Sequence, residues 1–288
     1  MVTIDLWSAK AKLHRAMKQL EDLKALIESV DSNPGLRATL RADLDSGSGY
    51  HIVRISGYPD FGQVVEDLSL SVGDIINNLR CSLDHLAWQY ACAYAQGVPR
   101  KPKDVYFLTC SAAGTQQHKA PGFFAPEVWR RMHEFQPCRG RNGRPDEWSG
   151  PYVHQLDLLT ELSNADKHKM LVHIEIQPNK FAMIPSRIGL PPWVSQTDSG
   201  IDLLIERVND PDPGADHLDF SQSPHSMEIG AEVVRIRAPA WVNNATIDQV
   251  GTAGPTFALP EGRPVAATLK RLAVFVKTVI EDLEQARP

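Results

Sequence analysis

The amino-acid sequence predicts an α+β protein, a four-helix bundle with an inserted antiparallel β-sheet. Four long stretches repeat apolar residues every three or four positions, which is the period of an α-helix. Residues 170–262 instead carry short runs that alternate apolar and polar side chains between Pro- and Gly-rich turns. The chain has 288 residues, of which 42% are hydrophobic and 23% charged, so it can bury a sizeable core.

The N-terminal part of the chain predicts two long helices separated by a strand. The first helix is expected over residues 5–31, because its apolar pattern stops at Pro34 and Gly35. A short strand is expected at residues 50–55. The longest helical pattern follows over residues 64–96, and it predicts the second helix.

The middle of the chain predicts an irregular connection followed by a basic loop. Residues 98–125 are rich in Pro, Gly and small residues, with a short buried strand expected at 105–108. A brief helix is expected at residues 126–135. The loop after it holds the densest group of arginines in the sequence, Arg139, Arg141 and Arg144.

The second half predicts a third helix, several strands and a final helix. The third helix is expected over residues 151–163, and after residues 164–169 the period changes from 3.6 to 2. Strands are then expected at 172–177, 181–184, 201–208, 227–236 and 256–259, and a helix at 264–283. The predicted organisation is a helical bundle with its irregular loop over 1–169, a β-rich insert over 170–262 and a C-terminal helix over 263–288 that completes the bundle.

Composition limits the classes of function. The net charge of −5 argues against a broadly basic nucleic-acid binder, so any RNA contact has to be local. No apolar run is long enough for a membrane span, and four cysteines without a Cys-x-x-Cys pair predict reduced thiols in a cytoplasmic protein. No nucleotide-binding glycine motif or zinc-protease motif occurs, so neither a cofactor nor a metal is predicted.

The second predicted helix combines polar residues with an apolar face. At about 100° per residue, Asn78 and His85 lie about 20° apart around the helix axis, and Arg80 lies about 40° from Asp84. One interpretation is structural, with Arg80 and Asp84 forming an ion pair one turn apart on a hydrogen-bonded face. The other interpretation is catalytic, because a histidine moves protons near neutral pH and an arginine stabilises phosphate.

This helix resembles a known family. The spacing of Arg80 and His85 is similar to the Arg-x(4 to 6)-His motif of the HEPN families, helical bundles that include metal-independent endoribonucleases of toxin–antitoxin and phage-defence systems as well as non-catalytic members. The strings 78–85 and 162–169 also resemble signatures of a mainly actinobacterial and phage protein family.

The HEPN resemblance implies an RNA substrate and a homodimer. In that model, His85 is the acid or base at the ribose, Arg80 stabilises the phosphate and Asn78 orients His85. The arginines of the basic loop would attract RNA. The rival hypothesis from the sequence is a non-catalytic binding or regulatory module, in which the same polar residues only hold the bundle together.

A second polar cluster lies where the third helix is expected to end. Asn164, Asp166 and His168 have a structural interpretation as a helix C-cap and turn. Their functional interpretation is a metal-dependent hydrolase, in which Asp166 and His168 join Asp84 and His85 around a divalent ion. We expect the second and third helices to pack together and to bring His85 close to His168.

Overall fold

The computed structural model shows a chain of five α-helices and seven strands over the residues that it describes. These residues are 4–45, 50–109, 122–137, 154–168, 171–183, 204–207, 229–230, 232–237 and 251–285. The helices are α1 (Trp7–Ser32), α2 (Gly62–Ala95), α3 (Pro126–Glu134), α4 (Gln155–His168) and α5 (Val265–Glu284). The strands are β1 (Ala38–Asp45), β2 (Tyr50–Gly57), β3 (Glu175–Met183), β4 (Leu204–Arg207), β5 (Glu232–Arg237), β6 (Gly251–Leu259) and β7 (Arg263–Pro264).

The predicted α+β class is confirmed, and the chain separates into two compact units. The helical unit consists of Met1–Ala25, Val65–His173 and Val265–Pro288, whereas the sheet unit consists of Leu26–Val64 and Ile174–Pro264. Within the described residues, we find no helix with the length and apolar character needed to cross a membrane.

Helix α2 is the central apolar element of the helical unit. Its apolar residues recur at helical spacing and are fully buried with those of α4 and α5: Leu68, Ile75, Ile76, Leu79, Leu83, Leu86, Leu156, Leu159, Leu269, Leu272 and Val276. Each such side chain contributes about 1.5–3 kcal/mol by leaving water. Helix α1 runs antiparallel to α2, because the Ser82 hydroxyl donates to the carbonyl of Ala9 at 2.7 Å while Asn78 contacts Gln19.

The C-terminal end of α5 is held by side chains from other helices. The buried Tyr90 hydroxyl donates to the carbonyl of Leu283, and Arg131 Nη1 donates to the carbonyl of Asp282 at 3.0 Å. These donors satisfy carbonyls that the end of a helix leaves without partners. Burial is the main cause that raises the pKa of Tyr90 to about 12, so its hydroxyl stays a donor throughout the physiological range.

The sheet unit is an antiparallel sheet with strand order β3-β6-β1-β2-β5-β4, and β7 pairs with β6. Strand β1 was not predicted, although Ala38, Leu40, Ala42 and Leu44 alternate with polar residues. Strand β1 pairs with β6 and strand β2 pairs with β5, so residues 26–64 belong to the sheet unit. The insert predicted over residues 170–262 therefore contains only part of the sheet.

Two local predictions differ from the structure. Instead of the two strands expected at 172–177 and 181–184, the described residues form one strand, β3 (Glu175–Met183), whose pairing with β6 shifts register between Asn179 and Phe181. The strand expected at 105–108 is absent, because Phe107 is buried but its backbone bonds to side chains of α2 instead of to another strand.

Candidate functional site

The guanidinium group of Arg80 joins three segments of the helical unit. Its Nη2 donates to the carbonyl of Phe107 at 2.6 Å and lies 3.3 Å from Oδ1 of Asp84. Its Nη1 donates to the hydroxyls of Thr109 at 3.2 Å and Thr160 at 3.4 Å. The Arg80 side chain is only 11% exposed, and its guanidinium group makes three hydrogen bonds and one ion pair.

Asp84 completes this arrangement by accepting a hydrogen bond from the backbone N–H of Phe107. The Oδ1 atom of Asp84 is 3.0 Å from that nitrogen. The ion pair predicted between Arg80 and Asp84 is therefore confirmed, and together the two side chains bond both backbone groups of Phe107. We call these two residues the Phe107 clamp. It gives an irregular segment the backbone partners that a neighbouring strand would otherwise supply.

Thr160 extends the clamp into α4. Its hydroxyl lies 3.1 Å from the hydroxyl of Thr109 and donates to the carbonyl of Leu156 at 2.7 Å. Neither threonine is singled out by the sequence, because an isolated threonine carries no spacing signal. A polar Thr160 between the apolar positions 156, 158, 159 and 162 is the one available hint.

Asn78 is buried and bonds to α1. The Nδ2 atom of Asn78 donates to Oε1 of Gln19 at 2.9 Å and to the carbonyl of Asp74 at 3.0 Å. Its Oδ1 atom accepts from Nζ of Lys12 at 3.4 Å. With 8% exposure and these partners, Asn78 fastens α2 to α1, and no hydrogen bond from Asn78 to His85 is present among the described residues.

His85 is partly exposed and lies on a different side of α2 from Arg80. Five residues along a helix correspond to about 140° around its axis, so the two side chains diverge. In the described part of the chain, no hydrogen bond to the His85 imidazole is present. The structure therefore does not bring the predicted catalytic pair together within this chain.

The second polar cluster lies inside α4, since this helix continues to His168. The interpretation of Asn164 and Asp166 as a helix cap followed by a turn is therefore wrong, because both residues precede the last helical residue. Asn164 is exposed. Asp166 contacts α2 at Gly73, where a Cβ atom would overlap Oδ1 of Asp166 and lie 3.0 Å from its Cγ.

The expected packing of α2 on α4 is present, but its direction separates the two polar clusters. Arg80 meets Thr160, whereas Gly73 meets Asp166, so the helices are antiparallel. His85 follows Gly73 by twelve residues of α2, which corresponds to roughly 18 Å of helical rise. Asp166 and His85 therefore lie at opposite ends of the contact.

The predicted metal site is not assembled by the residues that can be placed. Over the described ranges, no group of three His, Cys, Asp or Glu side chains is close enough to hold an ion. His168 ends α4, and its side chain lies outside the described residues, as do Arg139, Arg141 and Arg144 of the basic loop.

A shallow groove of about 220 Å³ lies between α1 and α5, with Leu13, Met17 and Ile280 among its lining residues. None of the predicted catalytic residues lines this groove. This groove and the sequence-predicted catalytic residues thus occupy different places in the helical unit.

Comparison of the chain with models of known protein families, with curated proteins and with solved structures finds no match.

The Gly73–Asp166 contact predicts an unusual response to substitution. Gly73→Ala in a helix interior normally stabilises a protein by about 1 kcal/mol. Here we expect most of that gain to be lost, because the added methyl group forces Oδ1 of Asp166 to move. Urea unfolding of Gly73→Ala, Asp166→Ala and the double variant measures the coupling. We expect the double variant to be more stable than Asp166→Ala alone, and additive effects would contradict the contact.

Proposed function

We propose that the helical unit is a non-catalytic binding or regulatory module, in which Arg80, Asp84 and Asn78 stabilise the bundle. One observation carries this proposal: the Arg80 side chain is 11% exposed, and its guanidinium group contacts Asp84, Phe107, Thr109 and Thr160. A group that stabilises a phosphate has to present its N–H donors to the substrate. In this arrangement those donors face the protein interior.

The cost of freeing Arg80 supports the same conclusion. Turning the guanidinium toward a substrate would leave the Phe107 carbonyl and the Asp84 carboxylate without their cation. An unmade hydrogen bond of a buried group costs about 1–3 kcal/mol. A catalytic arginine that released Phe107 and Asp84 would therefore destabilise the fold whenever it bound substrate.

The second candidate is the metal-independent endoribonuclease that the HEPN resemblance implies. It is favoured by the partly exposed His85, whose imidazole has no hydrogen bond among the described residues. Lys12 supplies a cation on the side of α2 that carries Asn78, the residue about 20° from His85 around the helix axis. RNA binding through Arg139, Arg141 and Arg144, a homodimer, a toxin or phage-defence role and a cytoplasmic location belong to this candidate.

A cleavage assay distinguishes the two candidates. Purified full-length chain is incubated with single-stranded and structured RNA in EDTA, beside His85→Ala and the matched variant His14→Ala. His14 is an exposed histidine on α1. For a non-catalytic module we expect equal background cleavage from all three proteins. Cleavage that His85→Ala abolishes and His14→Ala retains would overturn the proposal and establish the endoribonuclease.

A further inference from the structure

Helix α4 begins with a histidine cap. His154 immediately precedes the helix, and its carbonyl accepts the N–H of Leu158 at 3.0 Å. Its ring atom Nδ1 accepts the backbone N–H of Leu156 at 3.1 Å. His154 therefore satisfies one of the free N–H groups of the first turn. It occupies the N-cap position, which is usually taken by Ser, Thr, Asn or Asp.

The cap packs against the aromatic ring of Phe275. The His154 ring centroid lies 5.8 Å from that of Phe275 on α5, at an interplanar angle of 86°. Phe275 in turn lies 6.2 Å from Phe135, which follows α3, at 79°. The imidazole is thus fixed in an edge-on aromatic contact that leaves Nδ1 directed at the backbone of α4.

We propose that His154 is an acid-sensitive N-cap that controls the first turn of α4. A neutral imidazole with its proton on Nε2 offers the Nδ1 lone pair to Leu156. When a proton binds Nδ1, the acceptor becomes a donor that faces another donor, and a positive charge arises beside the aromatic rings and at the positive end of the helix dipole. The first turn then loses its cap.

This turn is connected directly to the Phe107 clamp. Leu156 receives the cap on its N–H, and its carbonyl accepts the hydroxyl of Thr160. Thr160 is in turn a partner of Arg80. Loss of the cap therefore acts on the contact between α4 and α2 through two residues.

Burial, and not a neighbouring charge, controls the pKa of the His154 imidazole. The charged residues within about one helical turn in sequence of His154, Phe275 or Phe135 are Asp157 on α4, Arg271 and Lys277 on α5, and Arg131, His133 and Glu134 on α3. Burial lowers the pKa of the His154 imidazole below its ordinary value. Because the unfolded chain then binds a proton that the folded chain refuses, stability is retained above about pH 6.5 and falls as the pH drops below it.

Two measurements on the full chain test the proposal. Long-range ¹H–¹⁵N NMR spectra at pH 7.5 should show His154 as the Nε2–H tautomer, and its titration should lie below pH 6.5. Hydrogen exchange, corrected for the intrinsic rate, should show the opening of the first turn of α4 increasing by up to tenfold for each pH unit below 6.5. A proton on Nδ1 at pH 7.5 would overturn the proposal, whether or not any variant folds.

The matched variants are His154→Asn, which keeps an acceptor that does not titrate, and His14→Asn, which alters an exposed histidine. We expect the pH-dependent opening of α4 to persist in His14→Asn and to disappear in His154→Asn. An unchanged pH dependence in a folded His154→Asn would overturn the proposal.

Discussion

Arg80→Ala is expected to lower the free energy of unfolding by about 1–3 kcal/mol. The substitution leaves the Asp84 carboxylate without its cation and removes the donor of the Phe107 carbonyl. Leaving the buried Phe107 carbonyl without its donor costs about this much, while the ion pair adds less because the Asp84 side chain is 32% exposed. Urea unfolding followed by circular dichroism measures the loss.

The matched control is Arg130→Ala on α3. Arg130 also pairs with carboxylates, Glu127 and Glu134, but its side chain is 52% exposed. We expect the urea midpoint of this variant to stay close to that of the wild type, since exposed ion pairs contribute little. If Arg80→Ala unfolds at the same urea concentration as Arg130→Ala, Arg80 has no structural role and becomes available for chemistry.

Phe107→Ala is expected to lower the free energy of unfolding by about 3–5 kcal/mol. Phe107 is 1% exposed, although it lies outside every helix and strand. Removing its ring takes away a large buried apolar surface and leaves a cavity that the surrounding helices fill only in part. Calorimetry or urea unfolding measures this loss.

The neighbouring residue provides the control for this prediction. Tyr106 is 46% exposed, so Tyr106→Ala is expected to cost less than about 1 kcal/mol. Similar losses in the two variants would mean that the segment is not anchored through Phe107.

The fold was predictable where the local signal is strong. The helix expected at 64–96 is Gly62–Ala95, because its apolar period is maintained over nine turns. The sequence does not indicate strand β1, because its apolar positions alternate Ala with Leu and give a weak apolar contrast. The sequence predicts an end of α4 at residue 163, five residues too early, because Asn164 and Asp166 resemble stop signals although neither glycine nor proline occurs there.

At the candidate site, only the contact between residues close together in the sequence was predictable. The spacing of Arg80 and Asp84 indicates their ion pair, because the two residues are one helical turn apart. The other partners of Arg80 are 27, 29 and 80 positions away in the chain. Only the tertiary fold brings them together, so the sequence could not show that this arginine is already occupied.

The same consideration applies to the spacing of Arg80 and His85. Five positions on a helix satisfy a sequence motif whether or not the two side chains share a site. Here Arg80 belongs to the Phe107 clamp and His85 lies on another side of α2. A motif of two residues is therefore better tested by the contacts of its arginine than by its spacing.

Native-state hydrogen exchange at the backbone amide of Phe107 tests the structural role of Arg80 and Asp84 most directly. That amide is bonded to Asp84, which is itself held by Arg80. In the wild type we expect it to exchange only through global unfolding, as amides of the core helices do. In Arg80→Lys, which keeps the charge but not the planar fork, protection should fall by about 100-fold relative to the core of α2. Free exchange of the Phe107 amide in the wild type would contradict the clamp and the non-catalytic assignment that depends on it.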